Sequence, residues 1–208
     1  MTTQEMIDRY HALSSCVISD SLADLGLPHR GLDGIVTLDL AAKIVGPAFT
    51  VQCLPAGESG GQRIEYLREI PNGAVVVIAN GGRLDCSVWG GQRTLAARQR
   101  GAVGTVVDGA YRDILEHAAL SYPVFARGRT IVGSAGMANP VAAQLTVELA
   151  GVSVEPGDLI FGDASGVAVI PQASVTAVLE ASEAASDEEQ RVVTEVTNGR
   201  DYFEVKNR

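Results

Sequence analysis

The sequence predicts a single α/β domain, and three observations support this prediction. A continuous apolar run at residues 74–79 and a second strand-like segment, VGTVVD, at 103–108 flank a helical stretch at 91–100, which is the pattern of a β-α-β unit with buried parallel strands. Alternating, glycine-punctuated segments typical of antiparallel strands dominate the second half, and an Ala- and Glu-rich stretch follows Pro171. With 208 residues, 46% of them hydrophobic, the chain can form one domain with a substantial core. We assign this single domain to residues 1–208.

Two short helices are predicted within residues 3–26. The first repeats apolar side chains at helical spacing, and the second starts at Ser14 or Ser15, either of which can cap it, and stops at Gly26.

The core of the domain is predicted at residues 40–171. Its first strand, at 41–54, is expected to be interrupted at Gly46–Pro47 by a bend or a bulge. A helix at 62–70 then leads into the first buried strand, and a loop at 80–91 connects that strand to the helix of the β-α-β unit. Ligands favour the carboxyl ends of such parallel strands.

The remainder of the chain is predicted to be mostly antiparallel sheet followed by helix. A short helix at 113–120 is followed by β-rich segments between residues 122 and 171, one of them at 129–136. Apolar side chains on one stripe of residues 172–197 indicate one or two C-terminal helices.

Composition excludes several classes of function. A net charge of -9 disfavours binding to a nucleic-acid backbone, which requires a basic face. Cys16, Cys53 and Cys86 are far apart and have no histidine nearby, so we expect buried reduced thiols rather than disulfides or a zinc site. No apolar run approaches the ~20 residues that span a bilayer, and the polar N-terminus does not resemble a leader, so we expect a cytoplasmic protein without a membrane partner.

Three charged residues after the second buried strand are the strongest candidates for chemistry. Arg112 and Asp113 are adjacent and Glu116 follows three residues later. Asp and Glu at this spacing also form a helix capping box, and that alternative has equal weight from spacing alone. The neighbouring arginine favours a site that holds a divalent ion together with an anionic substrate. Because carboxylate oxygens are hard ligands, the ion would be Mg²⁺ or Mn²⁺ with several bound waters.

A glycine pair opens the helix of the β-α-β unit. Gly90 and Gly91 fit a tight turn at a helix start, and that alternative stays open. In the functional interpretation, the absence of side chains lets a substrate carboxylate reach the N–H groups of Gln92 and Arg93, where the helix dipole stabilises negative charge.

Other polar residues are interpreted as structural. His117 is expected to be a packing or surface residue rather than a ligand, and Trp89 a core or interface anchor. Asp158 and Asp163 are expected to be turn carboxylates. The acidic group at 187–189 is expected to be a solvated helix face, although in an oligomer it could reach a neighbour's site.

These motifs resemble one known family. Gly91, twenty intervening residues, Arg112–Asp113, two residues and Glu116 are similar to the pattern of the regulators of ribonuclease activity A (RraA-like proteins) and of the class II 4-hydroxy-4-methyl-2-oxoglutarate aldolases. The likeness covers about residues 15–175. It implies a swivelling β/β/α fold, homotrimers or hexamers, and sites at subunit interfaces.

The resemblance also implies roles for individual residues. Residues 90–93 would hold the substrate carboxylate, Arg112 would bind the keto oxygen of a 2-oxo acid, and Asp113 would hold the metal. Other aldolases of the family carry an acid where this chain has Gly91, so Glu116 is expected to support the metal instead, through water. The implied activity is cleavage to pyruvate enolate, with oxaloacetate decarboxylation at the same site; the alternative is a non-enzymatic regulator of the ribonuclease-inhibitor type.

Overall fold

The computed structural model describes residues 3–28 and 30–206. The helices are α1 Thr3–His11, α2 Ser15–Asp24, α3 Gly91–Gln99, α4 Ile114–Ala119, α5 Val175–Thr197 and α6 Tyr202–Lys206. The strands are β1 Val36–Thr37, β2 Ile44–Pro55, β3 Val75–Trp89, β4 Gly104–Tyr111, β5 Val124–Arg129, β6 Ala138–Ala143, β7 Val147–Leu149, β8 Val152–Val154, β9 Leu159–Asp163 and β10 Gly166–Ile170. Two short 3-10 helices cover Leu67–Glu69 and Gln172–Ser174.

One mixed sheet organises the molecule. Its strand order is β1-β5-β4-β3-β2-β9-β10, with β6 also paired to β2, while β7 and β8 form a separate two-stranded sheet. Strands β2, β3, β4 and β5 are parallel to one another, and α3 connects β3 to β4. The α/β fold with a parallel β-α-β unit is therefore confirmed. Antiparallel pairing of the second half is confirmed for β6 to β10 and wrong for β5, which continues the parallel set.

The core lies on both faces of this sheet. All eight residues of β4 are buried, as expected of a central parallel strand covered on each side. One face packs around Trp89, which is fully buried and confirms its prediction as a core anchor. The other packs around Ile44 and Phe125. Burying each such side chain contributes about 1.5–3 kcal/mol to folding.

The terminal helices pack together on the β9–β10 end of the sheet. Both predicted N-terminal helices are present, and the Val17 N–H donates to the Ser14 hydroxyl at 3.3 Å, so Ser14 is the cap. The C-terminal segment forms one long helix, α5, which packs its buried face against α2. Helix α6 beyond residue 197 was not predicted.

Two predictions for the region before β3 are wrong. Strand β2 is not interrupted at Gly46–Pro47; there it changes partner, from β9 over residues 44–47 to β3 from Ala48 onward. Residues 62–70 form no α-helix, only the 3-10 helix already given. The Ile64 N–H donates to the Pro140 carbonyl at 2.9 Å, so the segment follows β6 instead of pairing with itself.

Two further differences shape the end of the sheet that carries the site. Residues 80–89 are not a loop, because β3 continues to Trp89 and stays paired to β4 through register shifts. Gly81 and Gly82 adopt left-handed conformations, at φ +61° and +70°, that accommodate the extra residues. Residues 130–137 form no regular strand; they cross back over this end, and the Ser87 N–H donates to the Val132 carbonyl at 2.8 Å.

The cysteine prediction is partly wrong. Cys53 and Cys86 are buried free thiols, and burial raises the pKa of Cys53 to about 12, but Cys16 is exposed on α2. Within residues 3–28 and 30–206, no helix is long and apolar enough to cross a membrane.

Candidate functional site

The candidate site lies where β3 and β4 end side by side. Helix α3 begins at Gly91, shortly after Trp89 ends β3, and Arg112 directly follows β4. The Arg112 N–H donates to the Trp89 carbonyl at 3.0 Å and joins the two segments. Parallel neighbours bring their carboxyl ends to one edge, which is why residues such as Gly91 and Asp113, twenty-two positions apart, meet here.

The three predicted charged side chains, those of Arg112, Asp113 and Glu116, lie against the start of α3. A Cβ atom added at Gly90 would lie 2.6 Å from Asp113 Oδ2 and 3.3 Å from Arg112 Cγ. A Cβ at Gly91 would lie 3.1 Å from Glu116 Cβ and 3.5 Å from Asp113 Cβ. Arg112 therefore lies over Gly90 and Glu116 over Gly91, with Asp113 contacting both.

Asp113 occupies the N-cap position of α4 without acting as a cap. Its backbone is left-handed, at φ 62° and ψ 47°, and its side chain makes no capping hydrogen bond. Instead the Gly91 N–H donates to Asp113 Oδ2 at 2.9 Å. The capping-box alternative is therefore wrong, because the left-handed turn directs the carboxylate to the start of α3. Such conformations are uncommon for residues with a Cβ and concentrate at functional sites.

The N-terminus of α3 is partly occupied by this contact. Asp113 takes the N–H of Gly91, whereas the N–H groups of Gln92 and Arg93 belong to the first turn and have no partner within the helix. The Arg93 side chain is directed elsewhere: it donates to the Val88 carbonyl and lines a small crevice. Only the main chain of Arg93 is available to the site.

The Arg112 guanidinium is held by charge on one side and by close packing on the other. Its Nε lies 3.6 Å from Asp113 Oδ2, and a Cβ at Gly133 would lie 2.9 Å from its Nη1. The side chains of Arg112 and Asp113 are 45% and 36% exposed, so a small anion in solution can reach both. Sequence reasoning missed Gly133, whose segment had been expected to form a strand.

An open cleft of about 470 Å³ adjoins the acidic side chains. It combines carboxylate and amide groups with an apolar wall. Arg112 does not line it, but its Nε lies 3.6 Å from Oδ2 of Asp113, which does. Its lining residues are Gly91, Gln92, Leu95, Asp113, Glu116, Ala119 and Leu120.

The acidic pair offers hard oxygen ligands. Within the described ranges the exposed Glu116 carboxylate accepts no hydrogen bond, and Asp113 commits only Oδ2. No group of three or more His, Cys, Asp and Glu side chains that could hold a metal occurs among residues 3–28 and 30–206. Two carboxylates completed by water fit Mg²⁺ or Mn²⁺, and they do not fit zinc, which prefers four nitrogen or sulfur ligands.

A buried hydrogen-bond chain supports the site from behind. The Trp89 indole N–H donates to Thr94 Oγ1 at 2.7 Å, the Thr94 hydroxyl donates to His117 Nδ1 at 2.9 Å, and His117 Nε2 donates to the Arg112 carbonyl at 2.6 Å. Burial lowers the pKa of His117 and so favours the neutral ring. His117 is a packing residue as predicted. Sequence reasoning missed Thr94, whose signal was a β-branched hydroxyl residue in the interior of a helix.

The remaining acidic residues behave as predicted. Asp158 accepts from the Glu155 and Gln172 N–H groups, and Asp163 accepts from the Ser165 N–H, as turn carboxylates do. Residues 187–189 are exposed on α5.

Comparison with known proteins gives a consistent assignment. The RraA-like family model, described as Aldolase/RraA, matches residues 15–169. Protein DlpA of Legionella pneumophila is 34% identical over 201 residues, which cover 95% of this chain and 32% of DlpA. The chain therefore spans about a third of the length of DlpA. A Halalkalibacterium halodurans protein named "Putative 4-hydroxy-4-methyl-2-oxoglutarate aldolase" is 34% identical over 197 residues, covering 90% of this chain and 87% of the relative.

Solved structures agree. Streptomyces coelicolor RraAS2, described as an unusual member of the RNase ES inhibitor RraA protein family, superposes with a TM-score of 0.81 at 28% identity, covering 95% of this chain and all of that one. The predicted RraA-like α/β fold is thereby confirmed. Since the family model spans most of the chain and relatives align with it over nine-tenths of its length, this protein belongs to the RraA-like family.

Proposed function

We propose that the protein is a divalent-metal-dependent C–C lyase. It cleaves 2-oxo acids of the 4-hydroxy-4-methyl-2-oxoglutarate type to pyruvate and decarboxylates oxaloacetate. The observation that carries the proposal is the left-handed Asp113, which brings a carboxylate between Arg112 and Glu116 at the start of α3. Relatives named as aldolases of this type support the choice of reaction.

The start of α3 binds the carboxylate of the substrate. The N–H groups of Gln92 and Arg93 donate to it, and the helix dipole adds about 0.3–1 kcal/mol. Gly90 and Gly91 keep this end free of side chains, so that the anion and the Asp113 carboxylate can both approach the backbone.

Arg112 stabilises the charge that develops during reaction. Aldol cleavage and decarboxylation both leave an electron pair that moves onto the keto oxygen and forms pyruvate enolate. The guanidinium, fixed against Gly133 and Asp113, donates to that oxygen as its charge grows. Losing one such preorganised donor typically costs about 3 kcal/mol in the barrier.

Asp113 and Glu116 would hold the metal ion. When bound, Mg²⁺ or Mn²⁺ supplies further positive charge to offset the developing negative charge. Glu116 fills the space beside Gly91, so an acid at position 91 would have to displace it. This packing supports the expectation that Glu116 replaces the acid that other family members carry there.

The decisive experiment measures pyruvate release from 4-hydroxy-4-methyl-2-oxoglutarate and from oxaloacetate, with and without Mg²⁺ or Mn²⁺. We expect metal-dependent turnover that Asp113→Asn abolishes and Glu116→Gln weakens. Glu69→Gln removes another exposed carboxylate, which does not line the cleft, and serves as the matched control. Absence of pyruvate from both substrates under every metal condition would rule the proposal out.

We also propose that the protein assembles as a homotrimer or hexamer with sites between subunits. Leu95 is 59% exposed in the wall of the cleft, and Leu115, on the adjoining helix, is 82% exposed. A neighbouring subunit that covers these side chains would remove apolar surface from water. Light scattering should give three or six chains, and Leu115→Asp should reduce that number; a wild-type monomer would contradict the proposal.

The second candidate is a protein-binding regulator of the ribonuclease-inhibitor type. The structural similarity to Streptomyces coelicolor RraAS2 favours it, and the net charge of -9 suits a partner with a basic surface. Inhibition of a ribonuclease that persists in Asp113→Asn, together with no pyruvate release by the wild type, would favour this function over the lyase.

A further inference from the structure

We propose that the buried chain Trp89–Thr94–His117 is a positioning device, in which Thr94 and His117 hold Arg112 and Asp113 in their reactive arrangement. This inference rests on the proposed lyase function. Neither Thr94 nor His117 touches the cleft from which substrate would approach. Both act through the main-chain carbonyl of Arg112, which accepts from His117 at 2.6 Å.

The held carbonyl controls the conformation of Asp113. The carbonyl of Arg112 and the N–H of Asp113 belong to one planar peptide group, so fixing the carbonyl fixes the plane from which the left-handed residue starts. A left-handed aspartate persists only where its surroundings impose that conformation. Here the Arg112 N–H is also tied, to the Trp89 carbonyl at 3.0 Å, so the residue before Asp113 is held at both of its polar groups.

The chemistry of the end groups determines the direction of the two outer bonds of the chain. An indole N–H can only donate and a carbonyl can only accept. His117 Nε2 must therefore carry a proton. In the neutral ring Nδ1 then accepts, and the Thr94 hydroxyl accepts from Trp89 and donates to His117. One proton arrangement satisfies all of these groups, which gives the chain a single geometry.

The chain also sets the distance between the two halves of the site. Thr94 lies on α3, whose first N–H binds the Asp113 carboxylate, and His117 lies on α4, which starts just after Asp113. Both side chains are buried, at 0% and 4% exposure. A buried link between two helices that each carry part of a site keeps those parts in register.

Thr94→Val tests this inference, because valine keeps the shape and removes the hydroxyl. Thr105→Val is the matched control: Thr105 is equally buried, and its hydroxyl bonds the Tyr122 hydroxyl at 3.0 Å in the same core. Tyr122 stacks on Trp89, but the Thr105 side chain makes no hydrogen bond to Trp89, Thr94, His117 or Arg112. We expect Thr94→Val to lower kcat about 10- to 100-fold with KM little changed, since small misplacements of reacting groups have effects of this size. Thr94→Ser should restore kcat, and Thr105→Val should lower the melting temperature without lowering kcat.

Two measurements follow the geometry independently of activity. Trp89 is the single tryptophan, so one indole N–H signal reports its bond to Thr94 by NMR. Hydrogen exchange at the Gly91 amide reports the contact with Asp113. In Thr94→Val the indole signal should shift and Gly91 exchange should accelerate, whereas Thr105→Val should leave Gly91 exchange unchanged.

The outcomes separate this inference from the proposed function. Equal kcat in Thr94→Val and Thr105→Val, or unchanged Gly91 exchange in Thr94→Val, would overturn the positioning role even if the enzyme is a lyase. If the wild type releases no pyruvate, the lyase proposal fails and Gly91 exchange alone decides the positioning role. If Thr94→Val does not fold, Thr94→Ala and Thr105→Ala provide the same comparison.

Discussion

A single methyl group at Gly90 should disable the site without unfolding the protein. The Cβ of Gly90→Ala would lie 2.6 Å from Asp113 Oδ2. Since non-bonded heavy atoms prefer about 3.5 Å or more, the carboxylate must withdraw by roughly 1 Å and release the Gly91 N–H. Misplacement by that distance costs about 100-fold in rate, or roughly 2.7 kcal/mol in the barrier. The backbone of Gly90 is extended, at φ -164°, so alanine introduces no conformational strain.

The assay is pyruvate release, with melting temperature as the measure of folding. Gly91→Ala provides a graded comparison, because its Cβ meets Glu116 Cβ at 3.1 Å and no carboxylate oxygen of Asp113, so its loss should be smaller. Gly57→Ala, with no atom near its Cβ and no left-handed backbone, should leave activity unchanged. A Gly90→Ala protein within threefold of wild-type kcat/KM would refute the reasoning that the Asp113 carboxylate must stay at the helix start.

Three other predictions follow from the same structure. Arg112→Lys keeps the charge but loses the planar guanidinium, so kcat should fall by about 100-fold or more. The circular dichroism spectrum should stay unchanged, because the Arg112 side chain is 45% exposed. Near-normal pyruvate release would exclude the role of Arg112. Gly133→Ala brings a Cβ to 2.9 Å from Arg112 Nη1. Since this end of the arginine side chain is flexible, kcat should fall only about 10-fold, less than in Gly90→Ala, and the melting temperature should stay unchanged. Burial opposes ionisation of Asp163, but hydrogen bonds from Ser15 and the Ser165 N–H outweigh it and lower its pKa. A carboxyl pKa that is lower in the folded protein stabilises the fold at pH values above the pKa of the unfolded chain. The free energy of unfolding in urea should therefore be higher for wild type than for Asp163→Asn at neutral pH, and this difference should shrink as the pH falls below about 4. A difference independent of pH would contradict this.

The parts of the fold that the sequence predicted share one property: their local pattern matches their tertiary role. Residues 74–79 are an uninterrupted apolar run and residues 103–108 are rich in valine, and the structure buries residues 75–80 of β3 and all of β4 on two faces. Residues 62–70 fail because their helical propensity is opposed by tertiary contacts: Tyr66 stacks on Phe49 with ring centroids 6.4 Å apart, and the chain bonds to β6. Propensity is a weak term that such packing overrides.

Strand β3 shows a second limit. Residues 80–89 contain glycines and charges that locally favour a loop, yet they remain paired to β4 through register shifts. Bulges of this kind insert residues without ending the ladder, and nothing in a single sequence distinguishes them from a break. The misassigned segment matters for the site, because it carries Ser87 and Trp89, which bond the loop at Val132 and the backbone of Arg112.

The choice between a capping residue and a site residue at Asp113 required the structure for a physical reason. Spacing in sequence describes only the helix that follows Asp113, and within that helix Asp-x-x-Glu satisfies a cap. The competing partner, the N–H of Gly91, lies twenty-two positions earlier and becomes available only when β3 and β4 pair. A cap would use the carboxylate to stabilise six residues of α4, whereas the left-handed turn uses it to join α3 to α4 beside an arginine. The protein adopts the less favourable local conformation, and this is why we assign the carboxylate to chemistry.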